Sequence, residues 1–179
     1  ALNFIKNTYN KKNQNIFSGC IAIPSRKNES INLMKKSQSG AEFFTTQVLY
    51  DSKNIIKMIN NYQKLCDENK TFPRRILLSF APVSSQKNIN FLKWLGVEIP
   101  DNTERYLQGR PGAMTDRSLD VAIEVLNETL NYITENNLKV PLGLNVEHIM
   151  SYNFQYSVEM LQELARIYRE FCIKTKQYN

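Results

Sequence analysis

The sequence predicts an α/β protein with parallel strands. Two layouts fit: part of a (β/α)8 barrel of the TIM type, or a small open parallel α/β sheet. Three observations lead there. Four short apolar runs, 16–23, 41–50, 74–82 and 140–150, are separated by segments of helical periodicity. The runs alternate little between apolar and polar residues, as strands covered on both faces do. Strands that alternate with helices imply parallel pairing through right-handed crossovers. At 179 residues the chain suits one domain, 1–179, with a sizeable core. It falls short of the roughly 250 residues of a whole barrel.

Each element has its own reason. Residues 2–13 read as the end of a Lys- and Asn-rich helix. "IFSGCIAI" (16–23) is a buried strand stopped by Pro24. Residues 28–40 are helical, with a polar start and Gly40 as the stop; Ile31 and Met34 are expected to face the core. "AEFFTTQVLY" (41–50) is the second strand. Residues 52–70 place Ile55, Ile56, Ile59, Tyr62, Leu65 and Cys66 at helical spacing. "RRILLSFAP" (74–82) is the third strand, ended by Pro82. Residues 86–95 form a short helix ending at Gly96, with "VEIPD" as a turn after it. Residues 101–110 hold another helical turn, and 109–114 a loop. Residues 116–137 form a long amphipathic helix through Leu119, Ala122, Val125, Leu126, Leu130 and Ile133. "VPLGLNVEHIM" (140–150) is the fourth strand. The last helix, 154–175, should turn Val158, Leu161, Leu164, Ala165, Tyr168 and Cys172 inward.

Composition narrows the function. No run of 18 or more apolar residues and no signal-peptide pattern is present, so no membrane partner and a cytoplasmic location are expected. The formal charge of +6 is spread along the chain, which suits a solvated Lys-rich surface more than nucleic-acid binding. Cys20, Cys66 and Cys172 are far apart, and His148 is the only histidine. That leaves too few ligands for a Cys/His zinc site and favours reduced thiols. GxGxxG and P-loop patterns are absent. Ser84 and Ser85 suit the cap of helix 86–95 better than a nucleophile.

In either layout chemistry sits at the carboxyl ends of the strands. Alternation places Phe43, Thr45 and Gln47 on one side of the second strand. Gln47 offers both a donor and an acceptor there, suited to the edge of an amide-like heterocycle or, as readily, to neighbouring loop backbone. On helix 28–40, Glu29, Asn32 and Lys36 share one face at i, i+3, i+7, with Lys35 beside it. From spacing alone this is a solvated face, although it has the groups to hold a hydroxylated, phosphate-bearing ligand.

The order of four stretches, "GCIAIPS", "NLMKKSQSGAEFFTTQVLYD", "ILLSFAPVSSQKNINFLKWLGVEIPD" and the last strand–helix unit, resembles the methylenetetrahydrofolate reductase family of FAD-dependent barrel enzymes. The resemblance covers nearly the whole chain and corresponds to strands five to eight of the family's barrel. It implies hydride transfer from NAD(P)H through FAD to 5,10-methylenetetrahydrofolate, in one-carbon metabolism and methionine biosynthesis, with a folate as substrate and a homo-oligomer as a compatible state. By position, Gln47, Asn88 and Phe91 match substrate contacts, with Gln47 on the pterin. Glu29, Asn32, Lys35 and Lys36 match FAD-binding positions. Several departures accompany these matches. Ile23 replaces a flavin-contacting Tyr, Asn153 replaces a folate-contacting Arg, and "LQGRPGAMTD" is an insertion. The loop after Pro24 is short and lacks the family's His. The family's catalytic Glu and its fourth-strand Asp fall upstream of Ala1, so no catalytic residue is expected in this segment, and a fragment or a divergent relative is implied. A non-catalytic pterin- or flavin-binding relative is the alternative.

Overall fold

The computed structural model describes residues 16–109 and 112–175. The elements, in order, are β1 (Gly19–Ala22), α1 (Glu29–Gln38), β2 (Phe43–Thr46), α2 (Lys53–Glu68), β3 (Arg75–Phe80), α3 (Gln86–Trp94), α4 (Asp101–Gln108), α5 (Met114–Glu135), β4 (Leu142–Val146), a 3-10 turn (Ser151–Asn153) and α6 (Phe154–Thr175). The expected helix 2–13 and residues 110–111 of the expected loop lie outside the described residues. All four strands are parallel, in the order β1-β2-β3-β4. That order lacks the reversal that defines a doubly wound sheet.

The strands are shorter than their apolar runs because two of the runs continue past the ladder. Regular pairing of β2 with β3 ends at Thr45–Leu77. There the Thr46 hydroxyl accepts the Ser79 N–H at 2.9 Å, taking the place of a backbone carbonyl. The chain from Gln47 to Tyr50 then continues outside the ladder, with Val48, Leu49 and Tyr50 buried. The Tyr50 hydroxyl donates to the Ala81 carbonyl at 2.8 Å and fixes this segment to the end of β3.

Register sorts the strand residues onto two faces. Cys20, Phe44, Ile76 and Leu142 align, as do Ala22 with Thr46 and Leu78 with Leu144. These rows pack under the helices: Ala22, Phe44, Ile76, Leu78 and Leu142 are fully buried. Right-handed crossovers between sequential strands place successive helices on one side, and α1 packs on α2, α2 on α5 and α5 on α6. The opposite rows run Gly19, Phe43, Arg75 and Ile21, Thr45, Leu77, Gly143. None of the described helices covers them; Ile21 is 57% exposed. Space on this face is filled laterally. A Cβ on Gly143 would meet Leu77 Cδ2 at 2.5 Å, and one on Gly19 would meet the Phe43 ring at 2.3 Å.

Two inward assignments need correction. Ile31 is 42% exposed, and α1 buries Ser30, Leu33 and Met34 instead. Leu161 is 45% exposed, and α6 buries Ser157, Met160, Leu164, Phe171 and Cys172. In both helices the buried stripe is rotated, and small Ser residues take interior positions that apolar bulk alone would not predict. Asp101–Gln108 is a two-turn helix rather than a single turn, with Leu107 buried.

Candidate functional site

The carboxyl ends of the four strands gather most of the polar side chains singled out above. At the end of β1, the Glu29 carboxyl is almost wholly buried, its side chain 1% exposed. It accepts from Asn32 Nδ2 at 2.9 Å, Lys36 Nζ at 2.9 Å and the Ile23 N–H at 3.2 Å. Arg26 lies 3.6 Å away. Burial pushes this carboxyl up, but the bonds from Asn32, Lys36 and Ile23 outweigh burial and hold it below the usual carboxylate range. Lys36 also donates to the Ile21 carbonyl at 2.7 Å. So the i, i+3, i+7 face is a network that clamps α1 onto β1, and Lys35 stands exposed beside it. A hollow next to it is lined by Arg26, Lys27, Asn28, Lys57 and Asn61.

Gln47 stands where β2 leaves the ladder. Its Oε1 accepts the Val48 N–H at 3.2 Å, and its Nε2 reaches the Leu95 carbonyl at 3.4 Å. Both contacts are long, so the amide retains hydrogen-bonding capacity. It lines a cleft with Pro24, Ser25, Tyr50, Asn54 and Glu98. Beside it α3 carries an aromatic pair. Phe91 and Trp94 stack at 5.8 Å, and Trp94 is 78% exposed.

Asn88 and Asn153 meet, although 65 residues separate them. Asn153 Nδ2 donates to the Pro82 carbonyl at 3.2 Å and to Asn88 Oδ1 at 3.3 Å, and its Oδ1 accepts from the Ser84 hydroxyl at 2.8 Å. Asn88 Nδ2 donates to the Tyr152 hydroxyl at 2.6 Å. Both amides are about 2% exposed. Ser85 caps α3, its hydroxyl accepting the Asn88 N–H at 3.4 Å.

Sequence reasoning passed over Glu147. It follows β4, and its N–H continues the ladder to the Phe80 carbonyl at 2.7 Å. Alternation puts it on the uncovered face with Asn145, which aligns with Ser79. Asn145 Nδ2 donates to Ser79 Oγ at 3.1 Å and approaches Glu147 Oε1 at 3.5 Å. Burial raises the Glu147 carboxyl, partly offset by a hydrogen bond from Ser79. The period-two pattern Gly143, Asn145, Glu147 within an apolar run was the signal that pointed to it. Among the described residues no group of three or more His, Cys, Asp or Glu could hold a metal ion, and no helix is long and apolar enough to cross a membrane.

Comparison with known proteins follows the same outline. The family model for methylenetetrahydrofolate reductase matches residues 18–165. No curated protein matches the chain. Among solved structures, an uncharacterized protein from Clostridium thermocellum that binds two copies of 5-methyl-5,6,7,8-tetrahydrofolic acid superposes with a TM-score of 0.75 at 24% identity. The alignment covers 91% of this chain and 59% of that one, and it establishes likeness of fold. With more than three quarters of its length matched by the family model, the chain belongs to the methylenetetrahydrofolate reductase family.

Proposed function

We propose that this chain forms strands five to eight of a (β/α)8 barrel that binds a reduced folate at the carboxyl ends of its strands and serves the reductase reaction of its family. The observation that carries the reading is the uncovered sheet face. It is apolar through Ile21, Phe43 and Leu77, and polar at its carboxyl end through Ser79, Asn145 and Glu147. A barrel interior has that graded character, with packed layers below and chemistry above. The sequential strand order and the folate-binding neighbour support the same reading. Gln47 would meet the pterin edge, and Phe91 with Trp94 would offer an aromatic shelf to the rest of the folate. Asn88, held by Tyr152 and Asn153, would shape the wall beside them.

FAD would supply the hydride when bound, with NAD(P)H as donor. The residues present suit its ribityl and phosphate portions. Lys36 uses two of its three donors, Asn32 retains its carbonyl oxygen, and Arg26, Lys27 and exposed Lys35 add positive charge nearby. Glu29 faces inward and would act by holding Asn32 and Lys36 in place. A folate-binding relative without reductase activity is the second reading. One observation favours it: Asn153, at the position of the family's folate-contacting Arg, is buried in bonds to Pro82, Ser84 and Asn88.

The test uses the protein produced from its complete coding sequence. Calorimetric titration with 5-methyltetrahydrofolate should show saturable binding. Gln47→Ala should weaken it by about 1–3 kcal/mol, the cost of an unmet buried polar group. Absence of binding by the parent protein would overturn the folate reading. Flavin absorbance in the purified parent separates reductase from binding protein.

A further inference from the structure

The two carboxyls drawn into the strand ends differ in how they are satisfied. Glu29 has a lysine, an amide, a backbone N–H and a nearby guanidinium. Glu147 has the Ser79 hydroxyl and one long approach from Asn145. Among the described residues no Lys, Arg or His forms an ion pair with it. A half-buried carboxylate without a cationic partner is costly in a fold that gains nothing from it. Here it stands on the uncovered face beyond Asn145 and Ser79, the latter fully buried. Among the described residues no other donor is bonded to its carboxylate oxygens, which leaves lone pairs for a ligand lying on that face.

A carboxylate accepts two parallel N–H bonds well. The 2-amino-4-oxopyrimidine ring of a pterin presents such a pair, its ring N3–H and its 2-amino group. We infer that Glu147, steadied by Asn145 and Ser79, is a further ligand-binding residue that accepts hydrogen bonds from this donor edge of the folate. The inference rests on the folate reading above.

The experiment is a binding cycle on the protein from its complete coding sequence. Parent and Glu147→Gln are each titrated with 5-methyltetrahydrofolate and with its 2-desamino analogue. Gln keeps the shape but removes the charge and one acceptor. The parent should bind the natural ligand about tenfold to hundredfold more tightly than Glu147→Gln does, as expected for bonds to a charged group. The parent should also prefer the natural ligand over the analogue, and Glu147→Gln should lose most of that preference. A structural role alone would not move that preference. If the variant binds and discriminates as the parent does, the Glu147 assignment is overturned and the folate reading stands. If the parent binds neither ligand, the folate reading fails and this inference falls with it.

Discussion

Glu29 and Glu147 lie within one sheet's carboxyl ends, yet their surroundings move them in opposite directions. The Glu29 carboxyl is held low, so the unfolded chain binds its proton more readily than the folded one. Its contribution to stability is present above the ordinary carboxylate pKa and is lost as pH falls through the lower folded value. Glu29→Ala should cost about 3 kcal/mol at neutral pH, because Lys36 is left half-buried without its partner. Urea denaturation at pH 7 and again in acid reads this directly, and the difference should narrow in acid. Glu147 is raised, so its ionisation opposes folding as pH climbs from the ordinary carboxylate range through the raised value. Glu147→Gln should therefore melt higher than the parent at pH 7 and equally near pH 4. A stabilising substitution at a ligand-binding carboxylate is the expected form of a stability–function trade-off. A lower melting temperature at pH 7 would mean that the carboxylate is structurally required.

At the scale of elements, a few polar side chains lock helices to strands. Tyr62 on α2 is buried. Its hydroxyl accepts the Arg74 N–H at 3.1 Å ahead of β3 and shares a hydrogen bond of 2.9 Å with Ser37 on α1. Its ring meets Phe44 edge-on at 6.0 Å. Tyr62→Phe keeps the ring and leaves the Arg74 N–H and Ser37 without their partner, so a loss of about 1–2 kcal/mol is expected in chemical denaturation. Asn153 does the equivalent work for α6, tying its start to Pro82, Ser84 and Asn88. Asn153→Ala should cost about 2–3 kcal/mol by leaving those groups unmet. Asn153→Arg should cost more, since a guanidinium cannot fit a slot only 2% exposed. If Asn153→Arg is as stable as the parent, the loop before α6 is free to rebuild, and the Asn is no latch.

Much of this level was legible in the sequence. The strand positions, the helices among the described residues, the stop at Pro24 and the Ser85 cap all follow from local patterns, and the structure bears them out; the expected cover on both strand faces does not hold, since Ile21 in β1 is 57% exposed and no described helix lies over its row. What the pattern missed depends on partners far along the chain. Nothing local tells that Asn88 and Asn153 meet, or that Thr46 replaces a backbone acceptor for Ser79. The helix faces of Ile31 and Leu161 were misjudged because apolar bulk was weighed without the small Ser residues that actually pack. Glu147 was missed because it sits in a run dominated by its apolar neighbours, and its position matters only once Ser79 lies beside it.

At the scale of the whole molecule, the organising feature is a parallel sheet that the described helices cover on one side. Exposed Ile21 and the partly exposed Phe43 and Leu77 make the lower half of that face largely apolar, with Arg75 and Thr45 among them. If it is the inside of a barrel, residues 1–179 produced alone should self-associate, since β1 and β4 are the outer strands of the sheet formed by the described residues. Sedimentation velocity across a concentration series checks this. A concentration-independent monomer would favour a self-sufficient open sheet. The central claim, that the carboxyl end of this uncovered face receives a reduced folate, is tested most directly by a crystal structure of the protein from its complete coding sequence with 5-methyltetrahydrofolate. Pterin density is expected at the carboxyl ends of β2 to β4, within hydrogen-bonding distance of Gln47 and Glu147. Density for the folate away from those strand ends, with Gln47 and Glu147 touching only protein, would contradict it.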